Sequence, residues 1–328
     1  MPYLALKIVD VEDANLTIVI AQIAPPPGYE RAYEAPPAAP DPFVLQMVEP
    51  GYGPKDRAHI QRLAGSAVVS AVSVDAGRTD ALTERRLVSG FVPMDRAITE
   101  AVADQSAQPV AAIGRITAWF GGSQRTCTGT VIAERLVLTA AHCVHAKGAA
   151  AIGAAQYADW IRFEPQYRPD RPRGQWRGEA VYVQQGWSDP QPGTLRSHYD
   201  YALIRLDAPI AHVSGTAALM LGGEVDGPIT ALGYPRIPVG PYSFDGEFLY
   251  ATTGPQLPET DKRLMRAQNG LTEGSSGGPW LAQVEGQVRL VGLNSMKPKL
   301  SDDETWSPRL GPELEAMIAR ALSDMTGV

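Results

Sequence analysis

The chain has 328 residues, 44% of them apolar and 20% charged, with a formal net charge of −7 and a pI of about 5.3. That length supplies ample material for one large hydrophobic core or two modest ones. The acid excess argues against nucleic acid as the main partner, and no apolar run approaches the length of a membrane span.

The first hundred residues are the least legible. Residues 4–11 and 16–23 read as short strands, and Asp10, Glu12 and Asp13 around their junction carry the wrong charge for the start of a secretory signal. Pro25-Pro26-Pro27-Gly28 and Ala35-Pro36-Pro37-Ala38-Ala39-Pro40 read as extended, solvated segments. Residues 43–48 and 67–74 are expected as strands, 56–63 as a short helix and 95–104 as a second helix ahead of a linker. Residues 1–107 are therefore expected as an N-terminal region, either a pro-segment or a small accessory domain. The sequence leaves both readings open.

From Ala111 the rhythm changes to short strands separated by turns, as an all-β protein requires. Residues 113–120 read as a strand, and residues 127–132 and 136–139 as a hairpin turning at Ala133-Glu134-Arg135 and leading to His142. Residues 162–177 mix five arginines with Phe163, Tyr167 and Trp176, but Pro165, Pro169 and Pro172 break the run, so a solvated loop is expected rather than an RNA-binding element. His198 and His212 have no partner spacing and read as surface or packing residues. Residues 227–233 and 248–253 continue the strand pattern, and 281–284 with 287–293 form a hairpin about Glu285-Gly286. Residues 312–324 have helical spacing at Leu314, Met317, Ile318, Ala321 and Leu322, with Pro312 suited to a first turn.

Three stretches carry chemistry. Gly274-Ser275-Ser276-Gly277-Gly278-Pro279 surrounds a serine with glycines, which let the backbone turn sharply and let the Gly274 and Ser276 N–H groups converge beside the hydroxyl. A serine becomes a nucleophile when a base takes its proton and donors stabilise the oxyanion. His142, in Thr139-Ala140-Ala141-His142-Cys143, follows a buried strand and is the candidate base. Asp200, at the mouth of another strand-like segment, is the candidate that fixes the imidazole tautomer. Taken singly, the hexamer reads as a linker, His142 as a core histidine and Asp200 as a strand-end cap. Their coincidence favours nucleophilic catalysis.

With these motifs in hand, the chain resembles the chymotrypsin-like (trypsin-like) serine proteases, most closely the bacterial branch related to glutamyl endopeptidases. Cys127-Thr128-Gly129-Thr130-Val131-Ile132 with Thr139 to Cys143 is similar to that family's histidine region, Asp200-Tyr201-Ala202-Leu203 to its aspartate region, and Gly274 to Pro279 to its nucleophile loop. The resemblance covers about two-thirds of the chain, from near Ala111 to the C-terminus. It implies a protease domain over residues 108–328 built of two antiparallel β-barrels, with a C-terminal helix packed on the second. It also implies a monomeric serine endopeptidase acting on peptides or proteins through His142, Asp200 and Ser276, without a cofactor.

Cys127 and Cys143 are the two cysteines of the chain and flank one hairpin, so a single bridge is expected, and with it a periplasmic or extracellular setting. The rival is a metal site from Cys127, His142, Cys143 and His145. It lacks a C-x₂-C pair, and adjacent His142 and Cys143 converge poorly. By resemblance, Gly270 and Leu271 line one side of the specificity pocket and Asn294, Ser295, Met296 and Lys297 the other, with the Ser295 backbone pairing with substrate. Trypsin-like relatives carry aspartate where Gly270 stands. Glutamyl endopeptidases carry threonine and histidine where Leu271 and Asn294 stand. The residue before the nucleophile is the neutral Ser275, and no Ile-Val-Gly-Gly start lies near residues 110–115. Hydrogen bonds, rather than a new amino terminus, are therefore expected to hold the oxyanion loop. Two rival functions are an esterase using the same triad, which would normally use a G-x-S-x-G elbow, and an inactive protease-shaped binding module.

Overall fold

The structure, a computed structural model, describes residues 5–11, 16–23, 97–121, 123–146, 157–190, 192–221, 225, 227–298, 301 and 303–326. The proline-rich stretches, the expected strands at 43–48 and 67–74 and the expected helix at 56–63 lie outside the described residues.

Two early strands, β1 (Ala5–Val11) and β2 (Leu16–Gln22), form the antiparallel hairpin that the apolar spacing predicts. A third, β3 (Ile98–Ala101), falls where a helix was expected. The β-branched pair Ile98-Thr99 suits a strand, and pairing with a later strand supplies what local propensity does not.

Six strands then close on themselves: β4 (Ile113–Phe120), β5 (Ser123–Ala133), β6 (Leu136–Thr139), β7 (Trp160–Pro165), β8 (Trp176–Gln184) and β9 (Ala202–Leu206). The ring runs β4-β5-β6-β9-β8-β7 and returns to β4, so its members have no free edge toward one another. Ile116, Val131, Leu136, Leu138, Ile161, Phe163 and Val181 are buried in its core. The strand β2 pairs antiparallel with β8 from Ile18↔Gln184 to Gln22↔Ala180, and Ile18, Ile20, Ala21 and Ile23 enter the same core. The arginine-rich stretch 162–177 is not a solvated loop throughout. Its ends belong to β7 and β8, and between them Arg168 is buried against Asp170, with Arg168 Nη2 3.0 Å from Asp170 Oδ2.

The second half contains β10 (Ile229–Gly233), β11 (Tyr250–Gly254), β12 (Gln256–Leu257), β13 (Leu264–Gln268), β14 (Pro279–Val284), β15 (Gln287–Leu293) and β16 (Glu304–Pro308). One sheet runs β15-β14-β10-β11-β3 and the other β12-β13-β16. Trp280, Phe244, Met265 and Leu271 form the core of this half. The strand β3, ahead of the expected boundary at residue 108, is thus the edge of the second half's sheet.

The C-terminal helix Pro312–Thr326 buries Leu314, Met317 and Ala321, while Leu322, expected on the same stripe, is 39% exposed. The helix packs on the first barrel rather than the second, touching the second half through the Arg263–Glu313 ion pair at 3.2 Å: Tyr182 Oη of β8 donates to Asp324 at 3.1 Å and Gln184 Nε2 donates to the Glu313 carbonyl at 3.2 Å. This explains why β9 is buried at all five positions, one face lining the barrel and the other lying under the helix. No helix among the described residues is long and apolar enough to cross a membrane.

Candidate active site

The barrel's register brings the first two candidates together. The strands β6 and β9 pair antiparallel, with Thr139 opposite Ala202. The chain leaving β6 and the chain entering β9 therefore meet at one edge of the barrel. His142 lies in the single helical turn Ala141–Val144 just after β6, and Asp200 two residues before β9. Asp200 Oδ2 stands 2.8 Å from His142 Nδ1, and its Oδ1 accepts the His142 backbone N–H at 2.9 Å. An acceptor at Nδ1 places the ring proton there and leaves Nε2 free to take a proton.

A third bond to Asp200 escaped sequence reasoning. Ser295 Oγ donates to Asp200 Oδ2 at 2.6 Å, reaching across from the second half. Asp200 is 3% exposed. Burial alone would favour its neutral form, but the imidazole beside it and the hydrogen bonds from His142 and Ser295 outweigh burial and hold its carboxyl below the usual carboxylate range. The sequence expectation gave Ser295 only a backbone role. A lone serine beyond a strand end carries no signal that its hydroxyl meets a carboxylate 95 residues away.

Ser276 is carried to the same edge by β5. Thr128 N–H donates to the Ser276 carbonyl at 2.8 Å, and Thr128 Oγ1 donates to the Gly274 carbonyl at 2.9 Å. The Ser276 carbonyl also lies 3.7 Å from the sulfur of Cys143, the residue after His142. Ser276 is partly exposed, whereas the neighbouring Ser275 is buried and turns its hydroxyl inward to the Thr272 carbonyl at 2.7 Å.

The glycines around Ser276 are required by shape. Gly274 has φ +97° and Gly277 φ +80°, both left-handed, and a β-carbon would strike the Tyr234 carbonyl at the first and Thr139 and the Thr128 carbonyl at the second. The Glu273 carbonyl accepts from Arg236 N–H at 2.7 Å. Since the C=O and N–H of one trans peptide point oppositely, this bond turns the Gly274 N–H to the other side. Among the described residues, neither the Gly274 nor the Ser276 N–H donates to a protein acceptor.

Asn294 underpins this loop. It is 2% exposed; its amide nitrogen donates to the Leu232 carbonyl at 2.9 Å and the Ser275 carbonyl at 3.1 Å, and its oxygen accepts from Asn269 at 2.7 Å and Trp280 at 2.8 Å. Those four bonds fill an asparagine's capacity. Asn294 is thus enclosed beneath the loop. Leu271 is likewise buried, at 1% exposure. Ser295 and Met296 pair through their backbones with Trp306, Ser295 N–H donating to its carbonyl at 3.1 Å, and Lys297 Nζ donates to the Asn269 carbonyl at 2.7 Å. Lys297 therefore folds toward the segment leading to Gly270.

Cys127 and Cys143 form a disulfide with a Cα–Cα distance of 6.1 Å, joining β5 to the turn that carries His142. Both sulfurs lie within 4.8 Å of a His142 ring nitrogen, a grouping that as thiolates would suit a metal, but in the bridge neither sulfur is a thiolate. His145, the fourth member of that rival set, instead accepts Trp187 Nε1–H at 3.1 Å. Trp187 faces the His142 ring at 6.4 Å between centroids. Reducing the disulfide should lower the melting temperature by on the order of 5–10 °C, as loss of a crosslink closing a loop of this size predicts. Calorimetry with and without reductant checks it.

Residues 127–293 match the trypsin-like peptidase domain family. Serine protease 23 of Mus musculus is 34% identical over 97 residues, and the Homo sapiens protein of the same name 32% over 97; the chain spans about a quarter of the length of these curated relatives. Among solved structures, protease Anisep from Arthrobacter nicotinovorans superposes with a TM-score of 0.55 at 24% identity, over 68% of this chain and 99% of its own. A Glu endopeptidase gives 0.55 at 23% identity, over 70% and 99%. At those identities the structures establish the fold, a chymotrypsin-like one. With the family match spanning half of its residues, the chain belongs to the trypsin-like peptidase domain family.

Proposed function

We propose that the protein is a serine endopeptidase in which Ser276 attacks the peptide carbonyl, His142 takes and returns the proton, and Asp200 orients His142. The observation that carries this reading is the buried Asp200 carboxylate bonded to His142 Nδ1 beside the loop bearing the partly exposed Ser276. The unused N–H groups of Gly274 and Ser276 would hold the oxyanion, an acyl-enzyme would form, and water would release it. The presence of histidine, aspartate and serine at all three positions favours this reading over an inactive binding module, and the family match favours it over the esterase frame. The disulfide supports work in an oxidising compartment.

The same reading disfavours arginine or lysine before the scissile bond. Gly270 offers no carboxylate to pair with a guanidinium or ammonium. A fluorophosphonate probe should label Ser276 and no other residue, as peptide mapping would show. A peptide-library digest should place Arg and Lys among the least cleaved positions. Labelling at another serine, or a strong preference for Arg, would overturn the respective half of the proposal.

A further inference from the structure

A second His–Asp couple stands beside the first. His198 lies in the 3₁₀ turn Arg196–Tyr199 that ends on Asp200, and it is 5% exposed. Its Nδ1 accepts the Leu195 backbone N–H at 3.1 Å. The ring proton therefore sits on Nε2, which donates to Asp261 Oδ2 at 2.7 Å. Asp261 belongs to the turn entering β13, in the second half of the molecule. The next residue of the 3₁₀ turn is gripped by the same element: Arg263 Nη1 donates to Tyr199 Oη at 3.2 Å and its guanidinium lies 4.8 Å from the Tyr199 ring centre. The gripping turn is itself stiffened, since Arg263 N–H donates to Asp261 Oδ1 at 2.8 Å and Leu264 N–H to the Asp261 carbonyl at 3.0 Å.

The turn that presents Asp200 is held at its start, where His198 N–H donates to the Leu195 carbonyl at 3.0 Å, and more loosely where it reaches Asp200. Its closing bond, from Asp200 N–H to the Ser197 carbonyl, is long at 3.5 Å. Two consecutive side chains just ahead of Asp200 are instead fixed from the opposite half. Neither His198 nor Asp261 reaches the reacting atoms, and neither has a part in the peptidase mechanism. We infer that the Asp261–Arg263 turn is a positioning clamp: by holding His198 and Tyr199 it fixes the turn that aims Asp200 at His142. Ser295 restrains the carboxylate from one side, and the clamp restrains its backbone from the other. Assembly of the two halves thereby sets the geometry of the catalytic couple.

The inference rests on the triad reading, and its test separates the two. Asp261→Ala removes the acceptor. His198→Asn keeps an acceptor for Leu195 but cannot reach Asp261, whereas His198→Gln places an amide N–H where Nε2 stands. Asp261→Ala and His198→Asn should each lower kcat by about tenfold to a hundredfold, as misplacement of a catalytic group does, with KM changed less than about twofold. His198→Gln should recover most of the loss. Independently of turnover, proton–nitrogen correlations of the His142 ring in nitrogen-labelled protein report which nitrogen carries the proton. They should show the Nδ1-protonated tautomer in the wild type and a mixture in Asp261→Ala. A wild type without peptidase activity that still shows this tautomer change would sink the triad reading and keep the clamp. A folded Asp261→Ala protein with unchanged His142 tautomer and unchanged kcat, whatever its melting temperature, would overturn the clamp.

Discussion

Ser276→Ala should lower kcat for peptide hydrolysis by on the order of 10⁶ while leaving the melting temperature nearly unchanged. The two halves of that expectation come from different observations. On the proposed mechanism the size follows from removing the atom that would form the covalent bond, after which the imidazole would have no serine proton to take. The intact fold follows from the site itself: Ser276 is partly exposed, and its contacts to Thr128 and Cys143 run through its backbone carbonyl, which alanine keeps. Ser275→Ala should behave oppositely. Its hydroxyl is buried and donates to the Thr272 carbonyl at 2.7 Å, so its loss should cost about 1 kcal/mol of stability through the loop and only a modest fraction of the rate. Near-normal turnover by Ser276→Ala together with an inactive Ser275→Ala would reassign the nucleophile.

Deleting residues 1–23 should leave a protein that no longer folds cooperatively. Ile18, Ile20, Ala21 and Ile23 are each 3% exposed or less and belong to the first barrel's core. Burial of an isoleucine side chain contributes about 1.5–3 kcal/mol, so three of them approach the whole stability of an ordinary domain. The deletion would also free the β2-facing edge of β8 and remove the Ile23 carbonyl that accepts from Arg177 at 2.9 Å. A pro-segment of the removable kind predicts instead that the shortened chain keeps its melting transition and its activity. Calorimetry of the shortened and full chains decides between them, and Ile20→Ala, expected to cost about 2–5 kcal/mol, gives a milder version of the same test.

The proposed catalytic residues stood out in the sequence because each sits in a distinctive local frame of strand, small residues and turn. Strands β4, β5, β6 and β9 were legible because their apolar runs are short and bounded by turn residues, whereas most of β7 and the start of β8 lie in the stretch read as a solvated loop. What escaped were relations between distant residues. Ile98 to Ala101 carries too little local pattern to outweigh a helical reading, and β11 decides the matter. Asn294 was assigned to a pocket wall by resemblance; only the fold shows its four hydrogen bonds beneath the loop that carries Ser276. The C-terminal helix was read correctly from its spacing, but spacing says nothing of which barrel it covers. His198 lacked a partner at any recognisable interval because Asp261 lies 63 residues away.

The pairing of β2 with β8 and of β3 with β11 also bears on how the protein is made. On a ribosome, β2 emerges with β1 already made to cover one edge, but its other edge has no partner until Ala180 has been added, and β3 waits likewise for Tyr250. The first barrel has all its strands only once Leu206 has been added and its outer face is covered only when the C-terminal helix follows, while the second sheet depends on a segment synthesised before either half. Such long-range pairing gives a high contact order, for which loop closure makes folding slow. Unpaired strands exposed during that interval are sites of misassembly, so overexpression at reduced temperature, or with chaperones that shield strand edges, should raise the soluble yield more than it does for proteins whose strands pair with near neighbours.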